Sequence, residues 1–305
     1  MLVIILNIGV AQGSILGPLL FLLYINDLPN CLKSASCILY ADDTCLSMAH
    51  SDYPTLVEQF NCELESFRVW SVVNRLSVNM DKTFFVSTSN RRDVMDYENP
   101  LVYDTQPVKR ELSGKYLGVI VDSRFSFAEH INYIRPKLSK SIGILHRLKS
   151  LIPSDTLVSL YYSLIYPYLL YCNTVWGGTS RSLLRSLELL QKKAIRIVTN
   201  SDYLAHSSPL FHACKILKLN DIYLYNVAVS MFSRNQLSPL PTAQHYYDTR
   251  ARGAVRAGFR RLTSTQRSLS FMGPTVWNGL PFHIRNAATL NEFKSKLRVH
   301  FINQY

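Results

Sequence analysis

The stretch Cys37-Ile38-Leu39-Tyr40-Ala41-Asp42-Asp43-Thr44-Cys45-Leu46-Ser47-Met48 sets two adjacent carboxylates between two short apolar runs. Cys37–Tyr40 and Thr44–Met48 read as strands, and the acids as the turn between them. Asp favours turn positions, so an ordinary surface turn accounts for the pair. A tight hairpin also presents carboxylate oxygens to Mg²⁺, a hard cation that takes oxygen ligands. Two such ions could activate an attacking hydroxyl and stabilise a leaving pyrophosphate. The dipeptide alone leaves both readings open.

Upstream runs Gly9-Val10-Ala11-Gln12-Gly13-Ser14-Ile15-Leu16-Gly17-Pro18-Leu19-Leu20-Phe21, leading into Tyr24-Ile25-Asn26-Asp27-Leu28-Pro29. Glycine lets a backbone approach a ligand closely, and a helix N-terminus near Gly17 can face a phosphate or template. Taken by itself, the run reads rather as an ordinary glycine-containing loop before a buried helix over Gly17–Leu28. Downstream, Leu56, Phe60, Leu64, Phe67 and Trp70 recur at spacings of three and four, which predicts an amphipathic helix over residues 53–72. Phe84–Thr88, Val102–Tyr103 and Tyr116–Val121 read as strands.

From about residue 125 the pattern becomes helix upon helix. One stripe is Ile131, Ile134, Leu138, Ile142, Leu145 and Leu148; a second is Leu183, Leu187, Leu190, Ala194 and Val198. Lys and Arg lie mostly off both. Leu290–Phe301 predicts a short helix with Phe293, Leu297 and Phe301 on one face. The tyrosines at 161, 162, 166, 168 and 171 could stack on bases, but at helical spacing most would face a core. His206, His212 and Cys214 lack the four-ligand spacing of a zinc site.

With 305 residues, 48% hydrophobic and 18% charged, the chain is globular in composition and long enough for about two domains. A disordered tail, a collagen-like fibre and a small disulfide scaffold are excluded. Six cysteines without a CxxC pair favour a reducing compartment. The net charge of +12 is uneven: residues 1–100 carry 6 basic and 11 acidic groups, leaving 27 and 10 for residues 101–305. A net of +17 in that second part suggests a polyanion partner, nucleic acid or an anionic membrane face, although solvated helix faces explain any single patch. Residues 1–26 are uncharged, yet Asn7, Gly9, Gln12, Gly13, Gly17 and Pro18 interrupt them. The uninterrupted Leu19–Ile25 is shorter than the roughly 20 residues of a membrane span. No basic segment precedes it as in a secretory signal. The expectation is a soluble intracellular protein of nucleus or cytoplasm.

The two blocks, in this order and about ten residues apart, resemble the GxPQGSxLGPxLFxxYINDLP and FADDT/YADDT motifs of reverse transcriptases from non-LTR retrotransposons, the jockey-like LINE elements. Asn74-Arg75-Leu76-Ser77-Val78-Asn79 with Lys82-Thr83, then Lys115-Tyr116-Leu117-Gly118-Val119, then Phe125 with His130-Ile131, resemble further stretches in family order. So does the tail, with Ser270-Phe271, Gly273-Pro274, Trp277-Asn278-Gly279-Leu280-Pro281, Ile284-Arg285 and Phe293-Lys294. The resemblance implies an α+β fold: a partial reverse-transcriptase palm over residues 1–122, with a small, mostly antiparallel sheet and packed helices. A helical thumb over 123–200 and a basic helical C-terminal extension over 201–305 would follow.

The implied activity is RNA-directed DNA polymerisation with Mg²⁺, two ions in an intact enzyme. An RNA template, a DNA primer or target and deoxynucleotide triphosphates are the implied partners, with no membrane and no obligate protein partner. Asp42 and Asp43 are carried over as the catalytic metal ligands. Gln12 and Gly13 would line the nucleotide and template, Lys82 would lie near the triphosphate, and Tyr116, Leu117 and Gly118 would form the primer grip. Ala11 replaces the family's proline, which alters loop rigidity more than chemistry. The family also carries a further aspartate some tens of residues before the first block, and fingers earlier still. Met1–Ile8 contains neither, so a truncated remnant inactive by itself is expected. The alternative is a non-catalytic RNA/DNA-binding remnant or domesticated protein acting through the basic region 125–305. Arg250, Arg252, Arg256, Arg260 and Arg261 would neutralise phosphates there.

Overall fold

A computed structural model describes residues 13–88, 100–237, 255 and 263–305. The chain divides at Leu117–Gly118 into two compact units of mixed helix and strand, an α+β arrangement.

The first unit opens with α1 (Gly17–Ile25) and a 3₁₀ turn over Leu28–Cys31. Then β1 (Ser36–Tyr40) and β2 (Asp43–Ser47) pair antiparallel, with Tyr40 opposite Asp43 and Ser36 opposite Ser47. The long helix α2 (Tyr53–Val73) follows, started by Asp52, whose carboxylate accepts from the Thr55 N–H at 3.0 Å, and by Pro54 in its first turn. Short strands complete the unit: β3 (Phe84–Phe85), β4 (Val102–Tyr103), β5 (Gln106–Pro107), β6 (Lys109–Arg110) and β7 (Ser113–Tyr116). β4 pairs antiparallel with β5, but β3 pairs parallel with β6. Instead of one small, mostly antiparallel sheet, the described strands of this unit form separate two-stranded pairs, because most of them run for only two residues. The strand expected over Phe84–Thr88 accordingly stops at Phe85.

The core of this unit is small: Val57 and Leu64 of α2 against Leu101, Tyr103 and Val108, flanked by Phe60, Phe67 and Phe85. Gly114 in β7 is required by packing, since a Cβ there would sit 1.9 Å from Cε2 of Phe84. The reading of α1 as a buried helix is corrected. Only Ile25 of α1 is buried, while Leu19, Leu20, Leu22 and Leu23 are exposed around it. A helix apolar on every side cannot turn all of itself toward so small a core.

The second unit begins with β8 (Val119–Asp122), so the single strand expected over Tyr116–Val121 is two strands broken by a turn at Leu117–Gly118. Helices α3 (Ala128–Leu148), α4 (Ser154–Leu164), α5 (Tyr166–Leu170), α6 (Asn173–Trp176), α7 (Arg181–Val198), α8 (Ser207–Ala213) and α9 (Leu219–Leu237) follow. After the undescribed segments come α10 (Thr263–Gln266), α11 (Leu269–Gly279), α12 (Phe282–Arg285) and α13 (Leu290–Ile302). One hydrophobic core runs from Val119 and Ile131 through Tyr161 and Leu187 to Trp277, Phe293 and Phe301. It spans the expected thumb and extension alike. α3 buries its predicted stripe, except that Leu148 is only half-buried. In α7 the stripe is rotated: Leu184, Gln191 and Ile195 are buried, whereas Leu183 and Leu190 are half-exposed. The rotation is set by Gln191, whose amide donates to Tyr161 Oη and the Leu217 carbonyl and accepts from the Leu219 N–H, each at 2.9 Å. A buried amide satisfied on both ends costs nothing further. Tyr161, Tyr162 and Tyr166 pack into this core while Tyr168 and Tyr171 stay exposed, and Cys172 and Cys214 lie half-buried against it.

Two devices fix the entry to α3. The Asp122 carboxylate accepts from the N–H groups of Arg124, Ser126 and Phe127 at 3.1, 3.0 and 2.6 Å, holding Phe125 and Phe127 at positive φ. His130, 3% exposed, accepts the Ile120 N–H on Nδ1 at 3.4 Å and lies 5.7 Å from the Trp176 ring. Burial, reinforced by the Lys137 ammonium, holds its pKa below the ordinary value. The unfolded chain therefore binds a proton near pH 6.5 that the folded one resists. Stability of the helical unit is complete above about pH 6.5 and is lost as pH falls through the lower folded value. Thermal melting between pH 7.5 and 5 should show this decline, and His130→Gln should flatten it; an unchanged slope in the variant would contradict the assignment.

Candidate metal-binding hairpin

The hairpin β1–β2 turns through two residues, Ala41 and Asp42, and Asp43 closes it opposite Tyr40. Two-residue connections of this kind ask for positive φ, commonly supplied by glycine. Here Ala41 takes φ 50°, a position a side chain occupies at a cost. The result is a sharp tip bearing consecutive carboxylates. Both are exposed, and neither has a hydrogen bond or ion pair among the described residues. Directly opposed residues share a face, so Asp43 stands beside Tyr40, with Ile38 and Cys45 next along that face.

What holds this hairpin in place is Glu63, a carboxylate only 5% exposed on α2. Its two oxygens accept the N–H groups of Lys33 at 2.9 Å and Ser34 at 2.7 Å, in the segment leading into β1. Charge-assisted bonds to backbone N–H groups are among the stronger ones, and both carboxylate oxygens are used. The sequence reading missed Glu63; its only signal was an acid inside the apolar half of α2, beside Leu64. Tyr116, expected in the primer grip, ends β7 with a buried hydroxyl that has no hydrogen-bond partner among the described residues. Burial, and then the neighbouring Cys45, Asp43 and Cys37, push its phenol pKa up. The first unit thus brings two expected site residues, Asp43 and Tyr116, into electrostatic range of each other. Leu117 and Gly118 follow at φ 44° and 83°. A leucine in that region is a strained residue, held there by its surroundings.

Other expected residues lie apart. Gly13 is exposed at φ 84°, and Ser14 Oγ accepts the Gly17 N–H at 3.0 Å ahead of α1. Lys82 lies in a turn where its N–H donates to the Asn79 carbonyl at 3.2 Å; its side chain is exposed, with no ion pair to either aspartate. Gln12 and Arg250, Arg252, Arg256, Arg260 and Arg261 lie outside the described residues. A cavity of about 320 Å³ in the second unit, bordered by Gln191, Lys192, Lys218, Asp221 and Tyr305, includes none of the motif residues. Among the described residues no helix is long and apolar enough to cross a membrane, and no group of three or more His, Cys, Asp or Glu side chains is placed to hold a metal.

Residues 4–121 match the reverse transcriptase (RNA-dependent DNA polymerase) family. The chain is 26% identical over 223 residues to the probable RNA-directed DNA polymerase from transposon X-element of Drosophila melanogaster, covering 70% of this chain and 24% of that protein. It is 25% identical over 244 residues to the RNA-directed DNA polymerase from mobile element jockey of the same fly, covering 76% and 26%. The Drosophila funebris jockey polymerase is 26% identical over 226 residues, covering 70% and 24%. The chain spans about a quarter of the length of the curated relatives it matches. No solved structure matches it.

If Glu63 clamps the hairpin, Glu63→Ala should lower the stability of the first unit by roughly 1–3 kcal/mol in urea unfolding, because two N–H groups lose their acceptor. Glu63→Gln, which keeps one acceptor oxygen, should cost less. Equal unfolding midpoints for all three proteins would refute the clamp.

Proposed function

We propose that the chain supplies the metal-binding hairpin and primer-end surface of an RNA-directed DNA polymerase, which adds deoxynucleotides to a primer 3′-hydroxyl on an RNA template. The observation that carries this reading is the pair of exposed carboxylates, without partners among the described residues, at a two-residue hairpin tip inside the segment that matches the reverse transcriptase family. Their chemistry fits Mg²⁺, which is held by one or two protein carboxylates and completes its shell with water and substrate phosphates. When bound, the ion neutralises charge on the triphosphate and favours ionisation of the attacking hydroxyl.

Asp42 and Asp43 are the ligands in this proposal. Asp43 is fixed in the β2 ladder, whereas Asp42 occupies the tip and keeps more freedom. Lys82 offers its ammonium to the triphosphate, and Gly13, with Gln12, lets the backbone approach the nucleotide and template. Tyr116, Leu117 and Gly118 seat the primer end. The first unit corresponds in this reading to part of a palm, residues 123–200 to a thumb and residues 201–305 to a basic extension. Arginines 250, 252, 256, 260 and 261 would contribute phosphate contacts within the net +17 of residues 101–305.

The test is an exchange in which this chain replaces the matching quarter of the X-element polymerase. The hybrid is expected to extend a DNA primer on RNA, and Asp42→Ala within the exchanged segment should reduce extension about a hundredfold or more. Extension by the Asp42→Ala hybrid at the parent hybrid's rate would rule the assignment out.

A further inference from the structure

Glycine at positive φ permits a turn but does not hold it, because the residue is the most freely rotating in the chain. The turn at Gly118, with φ 83°, therefore needs an external support if it is to seat anything. Within the second unit that support is Tyr171. A Cβ placed on Gly118 would lie 3.3 Å from Cε1 and 3.6 Å from the hydroxyl oxygen of Tyr171, so the ring closes against this backbone. Tyr171 is 53% exposed, and an aromatic chosen only for burial would be placed deeper.

The backbone that carries the ring is itself held. The Tyr171 N–H donates to the Pro167 carbonyl at 2.9 Å, and the Tyr171 carbonyl accepts the indole N–H of Trp176 at 2.8 Å. Cys172, at φ 48°, turns the chain between the two. Trp176 is fully buried and packs against His130, which in turn accepts the N–H of Ile120, two residues beyond Gly118. Contacts thus run from Gly118 to Tyr171, Trp176, His130 and Ile120, and back along β8 to Gly118. A closed circuit of this sort fixes position where a single contact fixes only distance.

We propose that Tyr171 is a positioning residue for primer-end binding: its ring, carried on a backbone that Trp176 holds through the Tyr171 carbonyl, sets the conformation of the Gly118 turn. The inference rests on the reading of Tyr116–Gly118 as the primer-end surface. Ring packing does the positioning, so phenylalanine should substitute and alanine should not.

The experiment measures binding of the full 305-residue chain to two probes built from a DNA primer and an RNA template, one with a recessed primer 3′ end and one blunt. The wild type is expected to prefer the recessed end by about tenfold in Kd. Tyr171→Ala should abolish that preference while leaving blunt-duplex affinity within about twofold, and Tyr171→Phe should restore it. Circular-dichroism melting checks that the helical unit is intact, and Tyr171→Leu serves if the alanine variant fails to fold. A folded alanine or leucine variant that keeps the preference overturns the positioning role and leaves the primer-end reading standing. Parallel loss on both probes also overturns it, since that marks a merely structural residue. A wild type without preference for the recessed end overturns the primer-end reading and this inference with it.

Discussion

Two backbone N–H groups, those of Lys33 and Ser34, converge on the buried carboxylate of Glu63, and the placement of the hairpin that follows depends on that convergence. A buried carboxyl group is tolerated only when its oxygens are bonded, and here both are. The arrangement works in two directions. It satisfies the acid that α2 buries, and it anchors the segment from which β1 departs. The five-residue strands then carry this anchorage to the tip, where the ladder closes at Tyr40 and Asp43. Asp42 and Asp43 are presented to solvent by a framework whose fixed point is a third acid, Glu63.

Two of the ten non-glycine residues at positive φ among the described residues lie where the chemistry is expected. Ala41 at the hairpin tip and Leu117 at the end of β7 both occupy positive φ, which ordinary side chains avoid. Each is flanked by better-held neighbours: Asp43 in a ladder, Gly118 against the Tyr171 ring. Backbones of this sort persist only when their surroundings over-determine them, which is how a site keeps its shape before a substrate arrives. The helical unit provides a much larger core than the first, and its single continuous interior joins α3 and α7 to α11 and α13. A thumb and an extension, in the proposed sense, would share that interior.

The hairpin was legible because alternating short apolar runs around a pair of acids admit few other conformations, and its strand ends fall within a residue of the expectation. The helices α2 and α3 were legible for a similar reason: their stripes repeat at three and four over about five turns. What escaped the sequence depended on single long-range partners. Gln191 rotates α7 because its amide meets Tyr161 and the segment ahead of α9, a relation without periodic signature. The break at Leu117–Gly118 hides in an apolar run, since leucine gives no sign of a left-handed turn. Gly114 looks like a flaw in a strand until the Phe84 ring occupies the space of its missing side chain. Glu63 and Asp122 were invisible as fixing residues, because what they hold is backbone, and backbone has no sequence.

Everything assigned to this chain as chemistry requires that a divalent cation settle at the tip of β1–β2. Iron(II) in place of Mg²⁺, with peroxide and ascorbate, generates radicals that cut a polypeptide beside the bound ion, and mass spectrometry locates the cut. The account predicts cleavage between Tyr40 and Thr44, competed by excess Mg²⁺ and absent when both Asp42 and Asp43 are alanine. Cleavage confined to other segments, or cleavage at the hairpin that survives the double substitution, would contradict it.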